Sequence, residues 1–157
     1  MHHAQVVVFL ARRGHIMHSA FIVDGVRTAG GRRGGRLSGW HPADIGAAVC
    51  DALLERVDIP GACVDDVAWG CVTQSGAQAE NVGRNVVLSS KRLPDSVPAY
   101  TVDRQCGSSQ QALHLAVQAV MSGTQDAVIA GGVEMMSVVP MDSNVTRSCT
   151  LVGRGAV

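Results

Sequence analysis

This sequence has few aromatic residues and no excess of either charge. The 157 residues include two Trp, one Tyr and two Phe, and 13 basic side chains stand against 13 acidic ones. Proteins that bind nucleic acid usually combine a basic surface with aromatic rings that stack on bases, so we expect no nucleic-acid partner. No apolar run approaches the roughly 18 residues that span a membrane, so we expect no membrane partner either.

The five cysteines do not form a recognisable metal or disulfide pattern. They are Cys50, Cys63, Cys71, Cys106 and Cys149, and none stands in CxxC spacing. An odd, scattered set suits neither a zinc site nor the disulfide framework of a secreted domain. We therefore expect reduced thiols, no metal and a cytoplasmic location, with Cys50 and Cys71 as small core residues.

The beginning of the chain carries a short apolar stretch at residues 6–11. This stretch is briefer than the core of a secretory signal and has no Lys or Arg before it. We interpret residues 1–16 as a poorly ordered extension, and Met17 as an alternative start.

Small residues are abundant instead, with 18 Gly among many Ala and Val, as in closely packed helices and sheets. Short β-prone runs alternate with segments whose apolar residues recur at helical spacing. We predict strands at residues 20–23, 67–72, 100–102 and 127–132, and helices that begin at Pro42, near Asn81 and just after Cys106. This βαβαβαβ order predicts an α/β fold with a mostly parallel sheet.

Cys106 lies where the third predicted strand gives way to the third predicted helix. A single cysteine is more often a buried, inert thiol. However, ligands bind at the carboxyl ends of parallel strands, and a nucleophile on a strand-to-helix turn projects clear of the backbone. The free N–H groups of a helix's first turn favour a thiolate, and the N–H of Cys106 itself could donate to an oxyanion. Cys106 is therefore our candidate nucleophile.

A helix end alone does not make that thiol a thiolate at neutral pH. It lowers a cysteine pKa by about one and a half units at best, so a histidine base is needed. His114 lies eight residues further along the same helix. That spacing places it roughly 12 Å from Cys106 along the axis, facing another direction. The base must come from elsewhere in the fold or from residues outside this sequence.

Four segments, in order and with the right spacing, resemble the thiolase family. They are AFIVDGVRTAGGRRGGRLS, DDVAWGCVTQSG, VDRQCGSSQQA and AVIAGGVEMMS, which together run from about residue 19 to about residue 141. The third resembles the family's acyl-cysteine motif. The resemblance implies the first, truncated half of a thiolase-like fold, with residues 17–136 as the N-terminal half-domain and residues 137–157 as the start of a loop insertion.

By this resemblance, the reaction is acyl transfer between acyl-CoA and CoA through an acyl group on Cys106. It would be the thiolysis of a 3-ketoacyl-CoA or a synthesis of the acetoacetyl-CoA type, with acyl-CoA as substrate and no permanently bound cofactor. A homo-oligomer, dimer or tetramer, is also implied. Thiolases carry a histidine base and a second cysteine further along the chain. No position here matches them, so we expect this chain alone to be inactive.

Two alternatives remain open at this point. One is a ketoacyl-synthase-like condensing enzyme, which the strings RQCGSS and GCVTQSG resemble less closely. The other is a truncated or vestigial domain that serves only in association. Two pairs of residues are also undecided: Asn81 and Arg84 suit either the site or an ordinary surface role, and Met135 and Met136 suit either the core or an acyl pocket.

Overall fold

The structure is a computed structural model that describes residues 2–12 and 19–145. Within these residues the chain forms a five-stranded sheet and three α-helices. The strands are β1 (His2–Arg12), β2 (Ser19–Arg27), β3 (Asp66–Gly70), β4 (Ala99–Val102) and β5 (Ala127–Met135). The helices are α1 (Pro42–Val57), α2 (Val82–Ser89) and α3 (Ser108–Met121).

The sheet has the strand order β2-β1-β5-β3-β4. β3 pairs in parallel with both β4 and β5. β1 runs antiparallel to both of its neighbours, β2 and β5. The α/β class is confirmed, and the expected βαβαβαβ order is found from β2 to β5. The sheet is mixed rather than mostly parallel because β1 is inserted between β2 and β5.

The expectation of a poorly ordered extension at residues 1–16 does not fit the structure, in which His2–Arg12 forms the interior strand β1. Ala4, Val6 and Val8 are fully buried, while Gln5 is exposed. This alternation is the period of a strand with one face against a core, and valine favours strands. The resemblance to a family begins only near residue 19 and gave no information about this segment. Met17 lies outside the described residues.

Helices cover both faces of the sheet. α1 and α2 pack on one face, where the larger core includes Ile45, Leu53, Val86 and Trp69. α3 packs on the other face, where Ala116 and Val120 join a smaller core with residues of β1 and β5. α3 follows the carboxyl end of β4 after a short bend, and this bend contains Cys106.

Local signals in the sequence explain where α1 begins and ends. The side chain of His41 accepts a hydrogen bond from the Ala43 N–H at 3.2 Å, and Pro42 occupies the first turn. Proline is favoured there because its missing N–H would have no partner in any case. The helix ends at Val57 and is followed by Asp58, whose backbone is left-handed. The predicted start at Pro42 is confirmed.

Asn81 and Arg84 both have structural roles in the fold. The Asn81 side chain accepts from the Arg84 N–H at 3.3 Å at the start of α2 and donates to the Ala99 carbonyl at 3.0 Å. The Arg84 guanidinium donates to the Val97 and Asp95 carbonyls, both at 2.7 Å. Both residues therefore hold the segment that leads into β4.

The segment after β5 contains turns between Met136 and Asn144. Residues 146–157, which include Cys149, lie outside the described residues. None of the helices in the described ranges is long and apolar enough to cross a membrane.

Candidate active site

Cys106 lies in the short bend between β4 and α3. β4 ends at Val102 and α3 begins at Ser108, and the Cys106 side chain is exposed. The bend follows the carboxyl end of β4, which is parallel to β3 and, through β3, to β5. The structure thus places this thiol at the edge of a parallel sheet segment, where ligands bind in open α/β folds.

Side chains within the bend hold it in a defined shape. The Ser108 hydroxyl accepts from the Arg104 N–H at 2.8 Å and donates to the Gln105 carbonyl at 2.6 Å. The Gln105 N–H donates to the Asp103 carboxylate at 2.8 Å. Gln105 has φ +49°, in the left-handed region that side-chain-bearing residues avoid. The hydrogen bonds on both sides of Gln105 maintain this conformation directly before Cys106.

Two glycines allow the start of α3 to lie directly on the sheet. A Cβ atom at Gly70, the last residue of β3, would stand 2.3 Å from the Ser109 backbone nitrogen. A Cβ atom at Gly132 of β5 would stand 2.0 Å from the Ser109 hydroxyl oxygen. No Cβ atom fits at either distance, so the absence of a side chain at Gly70 and Gly132 sets how closely the first turn of α3, and with it Cys106, approaches the sheet.

A cavity of about 570 Å³ opens beside Cys106. This volume lies within the range of about 300–1,000 Å³ that is usual for small-molecule sites. Its walls come from the end of β3, the bend before α3, the end of β5 and the following turns, with one residue of β1. The residues that line the cavity include Gln5, Cys71, Thr73, Cys106, Glu134, Met136, Met141 and Val145.

Glu134 is a half-buried carboxylate that sequence reasoning did not single out. One of its oxygens accepts from the Val72 N–H at 2.8 Å and faces the Cys71 thiol at 3.9 Å. The other accepts from the Gln78 amide at 2.9 Å. Gln78 is fully buried; it also donates to the Thr73 carbonyl at 2.8 Å. Glu134 and Gln78 therefore tie the loop after β3 to the end of β5 and shape one wall of the cavity.

The signal for Glu134 was present in the sequence. It is an acidic residue at the end of the otherwise apolar segment AVIAGGVEM. A carboxylate in such a setting needs hydrogen-bond donors. The sequence does not reveal that those donors come from a loop more than fifty residues earlier.

The two cysteines of the cavity differ in exposure. Cys71 is buried, and burial together with the negative charge of Glu134 raises the pKa of its thiol to about 12. Cys71 is therefore a neutral thiol at physiological pH, and Cys50 is likewise buried with a raised pKa. Both are core residues, as the sequence predicts. Of the two thiols at the cavity, Cys106 is the one that solvent and a substrate can reach.

No histidine base faces Cys106 among the histidines whose side chains the structure describes. His114 is exposed on α3, and neither it nor His41 lines the cavity. Within the described ranges, no group of three or more His, Cys, Asp or Glu side chains could hold a metal ion.

The neighbouring residues Met135 and Met136 have different surroundings. Met135 is buried in the larger core, whereas Met136 lines the cavity.

A second hollow, of about 580 Å³, lies beside α1 and far in sequence from the bend. Its lining includes Arg36, Trp40, Asp51 and Lys91, with charges of both signs. Neither a cysteine nor a histidine is among the described residues that line it. This hollow therefore has no candidate nucleophile.

Comparisons with known proteins identify the family of the chain. The family model for the N-terminal domain of thiolase matches residues 20–155. The chain is 52% identical over 134 residues to a steroid 3-ketoacyl-CoA thiolase of Mycobacterium tuberculosis, covering 85% of this chain and 33% of that protein. It is 44% identical over 131 residues to a 3-ketoacyl-CoA thiolase of Escherichia coli K12, covering 82% of this chain and 34% of that protein.

Among solved structures, an acetyl-CoA acetyltransferase of Bacillus anthracis matches with a TM-score of 0.63 and 34% sequence identity. The match covers 68% of this chain and 27% of that one. The chain thus spans about a third of the length of the curated relatives named above. The family match over most of its residues shows that the chain belongs to the thiolase family.

Proposed function

We propose that Cys106 accepts an acyl group and passes it on, from a 3-ketoacyl-CoA to the thiol of coenzyme A in thiolysis or from an acyl-CoA to a second acyl-CoA in condensation. The observation that supports this most strongly is the exposed thiol of Cys106 in a cavity of about 570 Å³ at the carboxyl edge of β3 and β5. The names of the relatives supply the substrate class. Thiolysis of a 3-ketoacyl-CoA, or the reverse condensation, is the reaction that we assign to the whole protein.

In the condensation direction, the Cys106 sulfur attacks the thioester carbonyl carbon of an acyl-CoA. A carbon–sulfur bond forms to Cys106, the bond between that carbon and the coenzyme A sulfur breaks, and the coenzyme A thiolate leaves and takes up the proton that Cys106 lost. In thiolysis, the sulfur attacks the 3-keto carbon instead, the bond from that carbon to C2 breaks, and C2 takes up the proton as acetyl-CoA leaves. The carbonyl oxygen carries negative charge in between. We assign the backbone N–H of Cys106 as a donor to that oxyanion.

The N-terminal end of α3 follows Cys106 closely, since the helix begins at Ser108. A helix N-terminus stabilises a nearby negative charge by only about 0.3–1 kcal/mol, which is too small to replace a base.

We therefore propose that deprotonation of Cys106 in the working enzyme requires a base that is not among the described residues. In support, neither His41 nor His114 lines the cavity. This chain alone is expected to accept an acyl group slowly and to carry out no repeated turnover. A cytoplasmic location and a homo-oligomeric state stay predictions, and no permanently bound cofactor is proposed.

Membership of the thiolase family favours a thiolase reaction over the ketoacyl-synthase alternative. The alternative of a non-enzymatic association domain makes a different prediction, namely that Cys106 does not accept an acyl group at all.

The test is to incubate the purified chain with acetyl-CoA and locate acetyl groups by peptide mass spectrometry. The matched variants are Cys106→Ala and Cys63→Ala, since Cys63 is also exposed but lies before β3, away from the cavity. We expect acetylation of Cys106 in the parent chain and in Cys63→Ala, and its loss in Cys106→Ala. Equal acetylation of Cys63, or none at Cys106, would contradict the proposal.

A second measurement addresses the missing base. Release of acetyl-CoA from acetoacetyl-CoA, with free coenzyme A present as the acyl acceptor, is followed with the same preparation. We expect no turnover that approaches the range of about 1–1,000 per second that is typical of enzymes. Turnover in that range by this chain alone would show that a sufficient base is present.

A further inference from the structure

Strand β1 contributes one side chain, Gln5, to the cavity beside Cys106. β1 precedes the residues 20–155 that match the family model. The cavity is therefore bounded on one side by a segment that the match to the family does not include.

The register of the sheet explains how Gln5 reaches the cavity. Its neighbours Ala4 and Val6 are buried in the core under α1, so Gln5 faces the opposite side of the sheet, where α3 lies. In the same alternation, Phe9 of β1 packs in the core beneath α3. The strand end that carries Gln5 is the end nearest Cys106.

Gln5 lies beside the point at which α3 packs on β5. Gln5 pairs with Gly132, which has no side chain. Gly132 also lines the cavity and lies against Ser109 in the first turn of α3. Gln5 therefore borders the space between β5 and the bend that carries Cys106.

We propose that Gln5 determines which acyl groups reach Cys106, an inference that rests on the proposed function above. The amide can both donate and accept hydrogen bonds, whereas Met136 and Met141 at the same cavity are apolar. A long saturated acyl chain would cover the amide and give it no hydrogen-bond partner, which weakens its binding, whereas a short acyl group leaves the amide in contact with water. Gln5 therefore favours short acyl groups over long alkyl chains.

The test compares acylation of Cys106 by acetyl-CoA and by octanoyl-CoA, each followed by mass spectrometry. In Gln5→Leu we expect the ratio of the octanoylation rate to the acetylation rate to rise about tenfold. This is the lower end of the discrimination between two substrates that one methylene group gives in an apolar pocket. Gln5→Ala, which removes the amide without adding bulk, is expected to change the ratio in the same direction. The matched control is Gln118→Leu, an exposed glutamine near the far end of α3 that does not line the cavity.

A measurement without thioesters tests the position of Gln5 separately. Alkylation of Cys106 by iodoacetamide and by a bulky maleimide is compared with alkylation of Cys63 in the same sample. Gln5→Trp is expected to slow the maleimide at Cys106 severalfold, while the rate at Cys63 is unchanged. An unchanged rate at Cys106 would overturn the inference.

The outcomes separate this inference from the proposed function. Acylation of Cys106 with an unchanged octanoyl-to-acetyl ratio in Gln5→Leu and Gln5→Ala overturns only the role of Gln5. Absence of acylation by either thioester, in every variant, overturns the proposed function and the role of Gln5 with it.

Discussion

Substitution of Gly70 by alanine tests how the sheet positions the nucleophile. The added Cβ atom would lie 2.3 Å from the Ser109 nitrogen and 2.5 Å from the Ser108 carbonyl carbon. Ordinary contact begins at about 3.4 Å, so the start of α3 must move by about 1 Å. The obstructing atoms are backbone, and no change of rotamer can relieve the contact.

The expected cost of Gly70→Ala has two parts. Overpacking of this kind usually lowers the free energy of unfolding by about 1–3 kcal/mol. Cys106 precedes the displaced turn by only two residues, and a misplacement of about 1 Å can reduce a reaction rate by about a hundredfold. We therefore expect acetylation of Cys106 by acetyl-CoA to slow much more than the loss of stability alone would cause.

The assay combines urea unfolding with the rate of Cys106 acetylation measured on folded protein. Gly30→Ala is the matched control, since its added Cβ would have no atom within 4 Å. We expect Gly30→Ala to leave the acetylation rate unchanged. An acetylation rate in Gly70→Ala equal to that of the parent chain would refute the reasoning that the contact between Gly70 and α3 positions the nucleophile.

Three further predictions concern the core and the cavity wall. Trp69→Ala is expected to lower the free energy of unfolding by about 3–5 kcal/mol in urea titrations, because this fully buried ring fills the larger core. Glu134→Gln should cost about 1–3 kcal/mol in the same assay, since one side-chain oxygen cannot replace the two that accept from Gln78 and a main-chain N–H. The raised pKa of Cys71, about 12 against an ordinary 9.0, means that an unfolded chain loses this proton first. The contribution of this thiol to stability should therefore be constant below about pH 9 and fall as the pH rises towards 12, so Cys71→Ala should lose stability less steeply in urea unfolding measured across that range.

Much of the fold could be predicted because its signals are local. Pro42 sets the start of α1, and the interval between the strand at residues 99–102 and the helix from Ser108 places Cys106 in a bend. Both depend on residues adjacent in sequence. Breakers such as glycine and proline, and the periodicity of apolar side chains, were therefore sufficient.

The position of β1 could not be predicted in the same way. The sequence of residues 6–11 fits a short apolar tail as well as it fits a strand. Their burial depends on pairing with β5, more than a hundred residues later in the chain. Once β1 is inserted, two of the neighbouring pairs in the sheet become antiparallel. The same insertion brings Gln5 to the cavity, which no local pattern could indicate.

The wall of the candidate site shows the same limit. The sequence shows that Gly70 and Gly132 are glycines. It does not show that α3 packs against both of them, because this contact forms only in the folded chain. Glu134 was visible as a carboxylate, but its donors lie in the loop after β3. Of the site residues discussed, Cys106 was the one whose position in the fold could be predicted from its neighbours in the sequence.

The most direct measurement of the central claim is a crystal structure of the chain after exposure to acetyl-CoA. We expect an acetyl group bonded to the Cys106 sulfur, inside the cavity between the end of β5 and the start of α3. Its carbonyl oxygen should lie within hydrogen-bonding distance of the Cys106 N–H. A Cys106 sulfur enclosed in the core, or an acetyl group found only on another cysteine, would contradict the account.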